Sequence, residues 1–161
     1  RLLNLIPLMI LLFLAFSETN FDFDKLSFLS FNLIYILIFY WVLKNPEILG
    51  YGFIFLAGIV NDVVVGLPIG VSSITYLILA GFSAYTRYLT VQPSLIYDWI
   101  VFAPSLAVTN SIYFYILTIF FDVKINYITL ALNTCVTILF YPIFAILFGL
   151  LANIIIKEKN V

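Results

Sequence analysis

The chain has 161 residues, of which 65% are hydrophobic and 9% charged, with a mean hydropathy of +1.19. So little charge excludes a water-soluble domain, whose surface needs far more of it. The net charge of -1 and the lack of a basic block exclude a nucleic-acid partner. The absence of histidine removes the commonest general base and metal ligand, and the single cysteine, Cys135, lies in an apolar run and makes neither a disulfide framework nor a zinc site.

A helix needs about 20 apolar residues to cross the bilayer core, and the sequence offers six such segments. The first spans residues 2–16. The chain opens on Arg1, so a short preceding piece is expected, and the segment is read as an uncleaved span. Its likeness to a signal peptide, with Ala15-Phe16-Ser17 as a weak cleavage site, is outweighed by the spans that follow. The second covers 28–43, the third 48–65 and the fourth 71–89. Between the fourth and fifth, Pro93 and Pro104 bracket a stretch containing Asp98 and Trp99. It reads as a short interfacial helix leading into a fifth span at 103–121, or else as a continuous fifth span starting near Ser94 and kinked at Pro104. The sixth covers 127–156; its length exceeds the bilayer core, and Pro142 in its middle predicts a kink or a tilt.

Six spans put both termini on one side. With the termini in the cytoplasm, the inner segments hold Arg1, Lys44, Arg87, Lys157 and Lys159, and the outer ones only Lys25 and Lys124, as the positive-inside rule requires. Trp41 and Trp99, with Tyr40, Tyr88 and Tyr97, then fall at the inner interface, where aromatic belts form. The longest loop, 17–27, is short and acidic, so no soluble domain is expected on either side.

The stretch "GIVNDVVVGLPIG" interrupts this apolar chain. Gly58, Asp62 and Gly66 recur every four residues and share one helix face, where small residues admit a close neighbour. Asp62 is an anion at the negative end of its own helix, so it is not expected to be a capping charge. It requires water, a cation, or a hydroxyl or amide from another helix; Lys25, Lys124, Asn32 and Asn110 lie on its predicted side. Gly66, Pro68 and Gly70 then form a tight outer turn, with Ser72 or Ser73 available to cap the next helix. No nucleophile elbow, phosphate loop or metal cluster is present, and Asp62 and Asp98 fall on opposite sides, which argues against an intramembrane aspartyl protease and against an enzyme generally.

These residues carry a resemblance. The segment 31–88 resembles the rod shape-determining MreD family, with Asn32 at the outer end of the second span, Tyr40-Trp41 at its inner end, then Pro46. Gly58 and Asp62 follow as Gly-x-x-x-Asp, then Gly66 and Gly70 as Gly-x-x-x-Gly, and an aromatic-Pro pair at Tyr141-Pro142. The specific motif is confined to residues 31–89; elsewhere the likeness is one of hydrophobicity. The resemblance implies a multi-pass bacterial inner-membrane protein without a catalytic site or cofactor. It implies a scaffold role in the elongation complex that builds peptidoglycan and maintains cell shape, beside MreC, the actin-like MreB, RodA and a class B penicillin-binding transpeptidase. It also implies an all-α bundle similar to the substrate-binding components of energy-coupling-factor vitamin transporters, which sets the alternative: a small-molecule binding subunit, its cavity lined from Asn110, Ser111, Asn133, Thr134 and Thr137. Lys44, Glu47 and Arg87 are candidate contacts for cytoplasmic partners, or simply topology-determining charges.

Overall fold

A computed structural model describes residues 5–16, 31–90 and 94–159. The predicted loop at 17–27 with Lys25, the start of the second span at 28–30, Pro93 and Arg1 lie outside the described residues. Six helices follow in order: α1 (Ile6–Phe16), α2 (Leu33–Lys44), α3 (Tyr51–Val65), α4 (Val71–Leu89), α5 (Leu95–Tyr115) and α6 (Tyr127–Lys159). No strand occurs among the described residues. Among the described residues two stretches are long and apolar enough to cross a membrane: Leu95–Phe120, of 26 residues, and Tyr127–Ile155, of 29. The other apolar helices are shorter; α2, at 12 residues, is about 18 Å long.

The fifth segment is the continuous one. α5 begins at Leu95, runs through Pro104 and ends in a π turn at Ile116–Phe120, so the separate interfacial helix is corrected. Ser94 opens the helix in extended conformation, and Asp98 in its first turn complements the positive end of the helix dipole, so nothing local stops the helix short of Pro104. α6 likewise passes through Pro142 unbroken.

α2 is the centre of the bundle. Every residue from Ile34 to Leu43 is buried, as befits a helix that is apolar all round. It packs against α1, α4 and α6. Side-chain pairs fix the directions. Tyr35 meets Tyr76 edge-on at 5.5 Å and Ser83 Oγ donates to the Phe39 carbonyl at 2.7 Å, so α2 and α4 run parallel. The Asn32 N–H donates to Thr137 Oγ1 and Tyr40 packs on Phe148, so α6 is parallel to them. Phe39 against Phe102 and Lys44 against Asp98 make α5 antiparallel to α2. α3 and α4 form an antiparallel hairpin.

The outer surface is apolar on the helices around α2. Phe13, Leu56, Val63, Ile74, Ile100, Leu139, Ile146 and Leu150 are all exposed. Burial claims the polar groups instead: Asp62, Ser73, Thr75, Ser83, Thr109 and Thr137 are fully enclosed. Contiguous apolar surface on this scale aggregates in water and is at home in lipid, where helices meet through small and hydrogen-bonding side chains.

Candidate functional site: the interhelical polar junctions

The α3–α4 hairpin is assembled from the residues that broke the apolar pattern. α3 ends where Gly66 takes a left-handed φ of 75°, and the N–H of Leu67 turns back to the Asp62 carbonyl at 2.8 Å. The chain turns through Pro68 and reaches Gly70, whose φ of 104° again suits only glycine. This brings the start of α4 against the end of α3. The Asp62 carboxylate, fully buried, accepts the N–H of Gly70 at 2.7 Å and that of Ser72 at 3.0 Å. The expectation that Asp62 is not a capping charge is corrected: it caps the following helix rather than its own. It lies at the positive end of the α4 dipole and satisfies N–H groups that a helix start leaves open. Ser72 and Ser73, expected to cap α4, do not: the cap position is Gly70 and no side chain of its own caps the helix. Their hydroxyls bind α3 instead, Ser72 Oγ accepting from Asn61 Nδ2 at 3.1 Å and Ser73 Oγ donating to the Phe55 carbonyl at 2.9 Å.

Gly58 lies where the two helices cross. A Cβ there would meet Ser73 Cα and fall 2.5 Å from the Ser73 backbone nitrogen. The face shared by Gly58 and Asp62 is thus covered by α4 of the same chain. Of the four groups expected near Asp62, the three among the described residues do not hydrogen-bond to it. Asn110 Nδ2 donates to Thr134 Oγ1 at 2.6 Å, Asn32 approaches α6 through its backbone, Lys124 is exposed, and Lys25 lies outside the described residues.

At the opposite end of the bundle Lys44 pairs with Asp98 at 2.6 Å, the carboxylate buried and the lysine partly open. Lys44, a candidate contact for cytoplasmic partners or a topology-determining charge by sequence, here ties the end of α2 to the start of α5. Pro46 lies in the turn between α2 and α3, and Arg87 is exposed on the last turn of α4. Trp41 and Tyr40 do not form an interfacial belt: Trp41 is fully enclosed in the core and Tyr40 nearly so, because central α2 is surrounded by other helices along its length.

Trp99 has a definite task. Pro142 has no N–H for the carbonyl four residues back, that of Ile138. The Trp99 indole N–H donates to that carbonyl at 2.8 Å, closing the gap from α5. Trp99→Phe is expected to lower stability by about 1–3 kcal/mol, the cost of a buried unpaired polar group. Restoring the helix N–H in Trp99→Phe/Pro142→Ala should recover most of it. Thermal unfolding in detergent reads both; a double variant no better than the single one removes this assignment.

Sequence reasoning missed the partners on α4, though a signal existed: Ser72, Ser73, Tyr76, Ala80, Ser83 and Thr86 form a mostly small and polar stripe at helical spacing, and all are buried. Six buried polar atoms among the described residues have no hydrogen-bond partner: Asn32 Oδ1, Trp41 Nε1, Asp98 Oδ1, Asn110 Oδ1, Thr118 Oγ1 and Tyr141 Oη. Asn32 directly precedes α2, and the others belong to α2, α6, or α5 with its π turn. Among the described residues no group of acidic or cysteine side chains has the composition of a metal centre. No protein-family model, curated protein or solved structure matches the chain.

Proposed function

We propose that this chain is a non-catalytic, six-span scaffold of the bacterial inner membrane, of the MreD type, serving the complex that elongates the cell wall. Both termini are cytoplasmic in this reading. The alternating directions of α2 to α6 support six passes, and the five-to-two distribution of basic residues supports the orientation.

The observation that carries the proposal is the division of labour between inside and outside. The motif residues Gly58, Asp62, Gly66 and Gly70 hold the chain's own hairpin together, while the outward surface is apolar helix. A protein built this way acts through lipid-facing helix surfaces, where another membrane helix docks by packing. The partner proposed is an MreC-like protein with one membrane helix; MreB, RodA and the class B transpeptidase join through the same assembly.

Cysteine crosslinking in cells tests this. Cys135 is exposed and is first changed to Ser. Gly58 is covered, so reporter cysteines belong at Leu56 and Val63, exposed on α3, and at Ile143 and Leu150, exposed on α6. A crosslink to cysteines in the membrane helix of the MreC-like partner, confined to one of these faces, is the expected result. Absence of crosslinks from every lipid-facing position, or substrate turnover by the isolated chain, would overturn the scaffold reading.

A further inference from the structure

The start of α5, residues 95–99, is joined weakly to its own helix and firmly to two others. Pro104 has no N–H for the carbonyl of Ile100, so one bond between this start and the rest of α5 is missing. The next carbonyl, that of Val101, takes the Ser105 hydroxyl at 2.8 Å, a back-bond of the kind that bends helices. Proline and back-bonding serine together make a pivot over residues 100–105. Phe102 fixes the pivot in place. It is fully enclosed, stacked on Tyr141 at 4.4 Å and edge-on to Phe39 at 5.0 Å.

Two contacts tie residues 95–99 down. Lys44 Nζ of α2 lies 2.6 Å from Asp98 Oδ2, and Trp99 Nε1 donates to the Ile138 carbonyl of α6 at 2.8 Å. The first tie is incomplete. Asp98 is buried, yet its Oδ1 has no partner. Half of the carboxylate is therefore out of water without a donor, a penalty that disappears when Asp98 returns to water. On the outward side Leu95, Ile96 and Tyr97 are exposed, so none of the described helices covers the start of α5 there.

We propose that residues 95–99 form a strap that opens about the Pro104 pivot, with the Lys44–Asp98 pair as its catch. Closed, as here, the strap ties the end of α2 and the middle of α6 to α5. Open, it bares Lys44 and Asp98 as separate charges at the end of the bundle opposite the α3–α4 turn. Opening breaks one ion pair and one hydrogen bond and leaves the core intact, because Phe102 keeps its place between Tyr141 and Phe39. The strap works within one chain. Its test therefore stands apart from the lipid-facing surfaces on which the scaffold role rests.

Pulsed electron paramagnetic resonance on the full chain in detergent tests this. Cys135 is first changed to Ser, and nitroxides are attached through Tyr97→Cys and Leu150→Cys, both at exposed positions. A second labelled pair, Ile74→Cys and Leu139→Cys, reports on the bundle away from the strap. The 97–150 distance should be predominantly the closed one in the otherwise unchanged chain. Lys44→Met leaves Asp98 without its counter-charge and should raise the open-to-closed ratio at least about tenfold, with the 74–139 distance unchanged. Trp99→Phe, which removes the other tie, should raise the ratio too, and it serves if Lys44→Met does not fold. Lys44→Met/Asp98→Leu should close the strap again, since an apolar pair often replaces a buried ion pair without loss. A single 97–150 distance that survives both Lys44→Met and Trp99→Phe overturns the proposal. A change of both distances together in each variant also overturns it, because these contacts then hold the whole bundle rather than a strap.

Discussion

Gly58→Ala should destabilise the protein at the upper end of the about 1–3 kcal/mol typical of overpacking, and Gly58→Leu should prevent the α3–α4 hairpin from closing. The reason is the identity of the obstacle. The added Cβ meets Ser73 Cα and backbone nitrogen as well as its hydroxyl, and a helix backbone has no rotamer by which to move aside. Two other glycines give the contrast. Gly52 in α3 and Gly81 in α4 have open space where a Cβ would go. Alanine at either should be neutral or stabilising, by up to about 1 kcal/mol, because it restricts the unfolded chain and favours helix. Thermal unfolding of the three Ala variants in detergent measures the pattern. Equal responses from Gly58 and Gly81 would falsify the close crossing.

Asp62→Leu should cost more than Asp62→Asn, although leucine is far the better residue for a membrane. Leucine favours insertion, where an aspartate at a helix centre costs about 2.5–3.5 kcal/mol and less near the end of a span. It also leaves the N–H groups of Gly70 and Ser72 without an acceptor, at about 1–3 kcal/mol each. Asparagine keeps one accepting oxygen and loses mainly the charge at the α4 dipole, about 0.3–1 kcal/mol. The Leu variant should therefore insert normally and fold poorly. Protease or labelling assays of topology separate insertion from folding, and thermal unfolding gives the order of the two variants. If Leu and Asn unfold together at the wild-type temperature, Asp62 does not hold the hairpin.

Asp62, Trp41 and Pro142 mark the limit of reading helices one at a time. Asp62 is misplaced by the dipole of α3 and well placed by that of α4. Only the turn through Gly66 and Gly70 brings the second dipole to it. Trp41 looks like an interfacial anchor because it is aromatic and near a helix end. It is buried because α2 has neighbours on several sides. Pro142 predicts a broken hydrogen bond from its chemistry alone, but not that an indole from α5 repairs it.

What the sequence determined by itself is local: an all-helical, strongly apolar chain, the limits of α4 at Val71 and Leu89, and the tight turn before it. Apolar runs, glycines that tolerate a left-handed backbone and a proline that cannot continue a helix act within a few residues, so they can be read in order along the chain. The tertiary structure decided which helix is central, what Gly58 touches, what Asp62 caps and how Lys44 finds Asp98. Those depend on groups from separate helices meeting in the buried interior, where a polar atom takes its partner from whatever packing brings near.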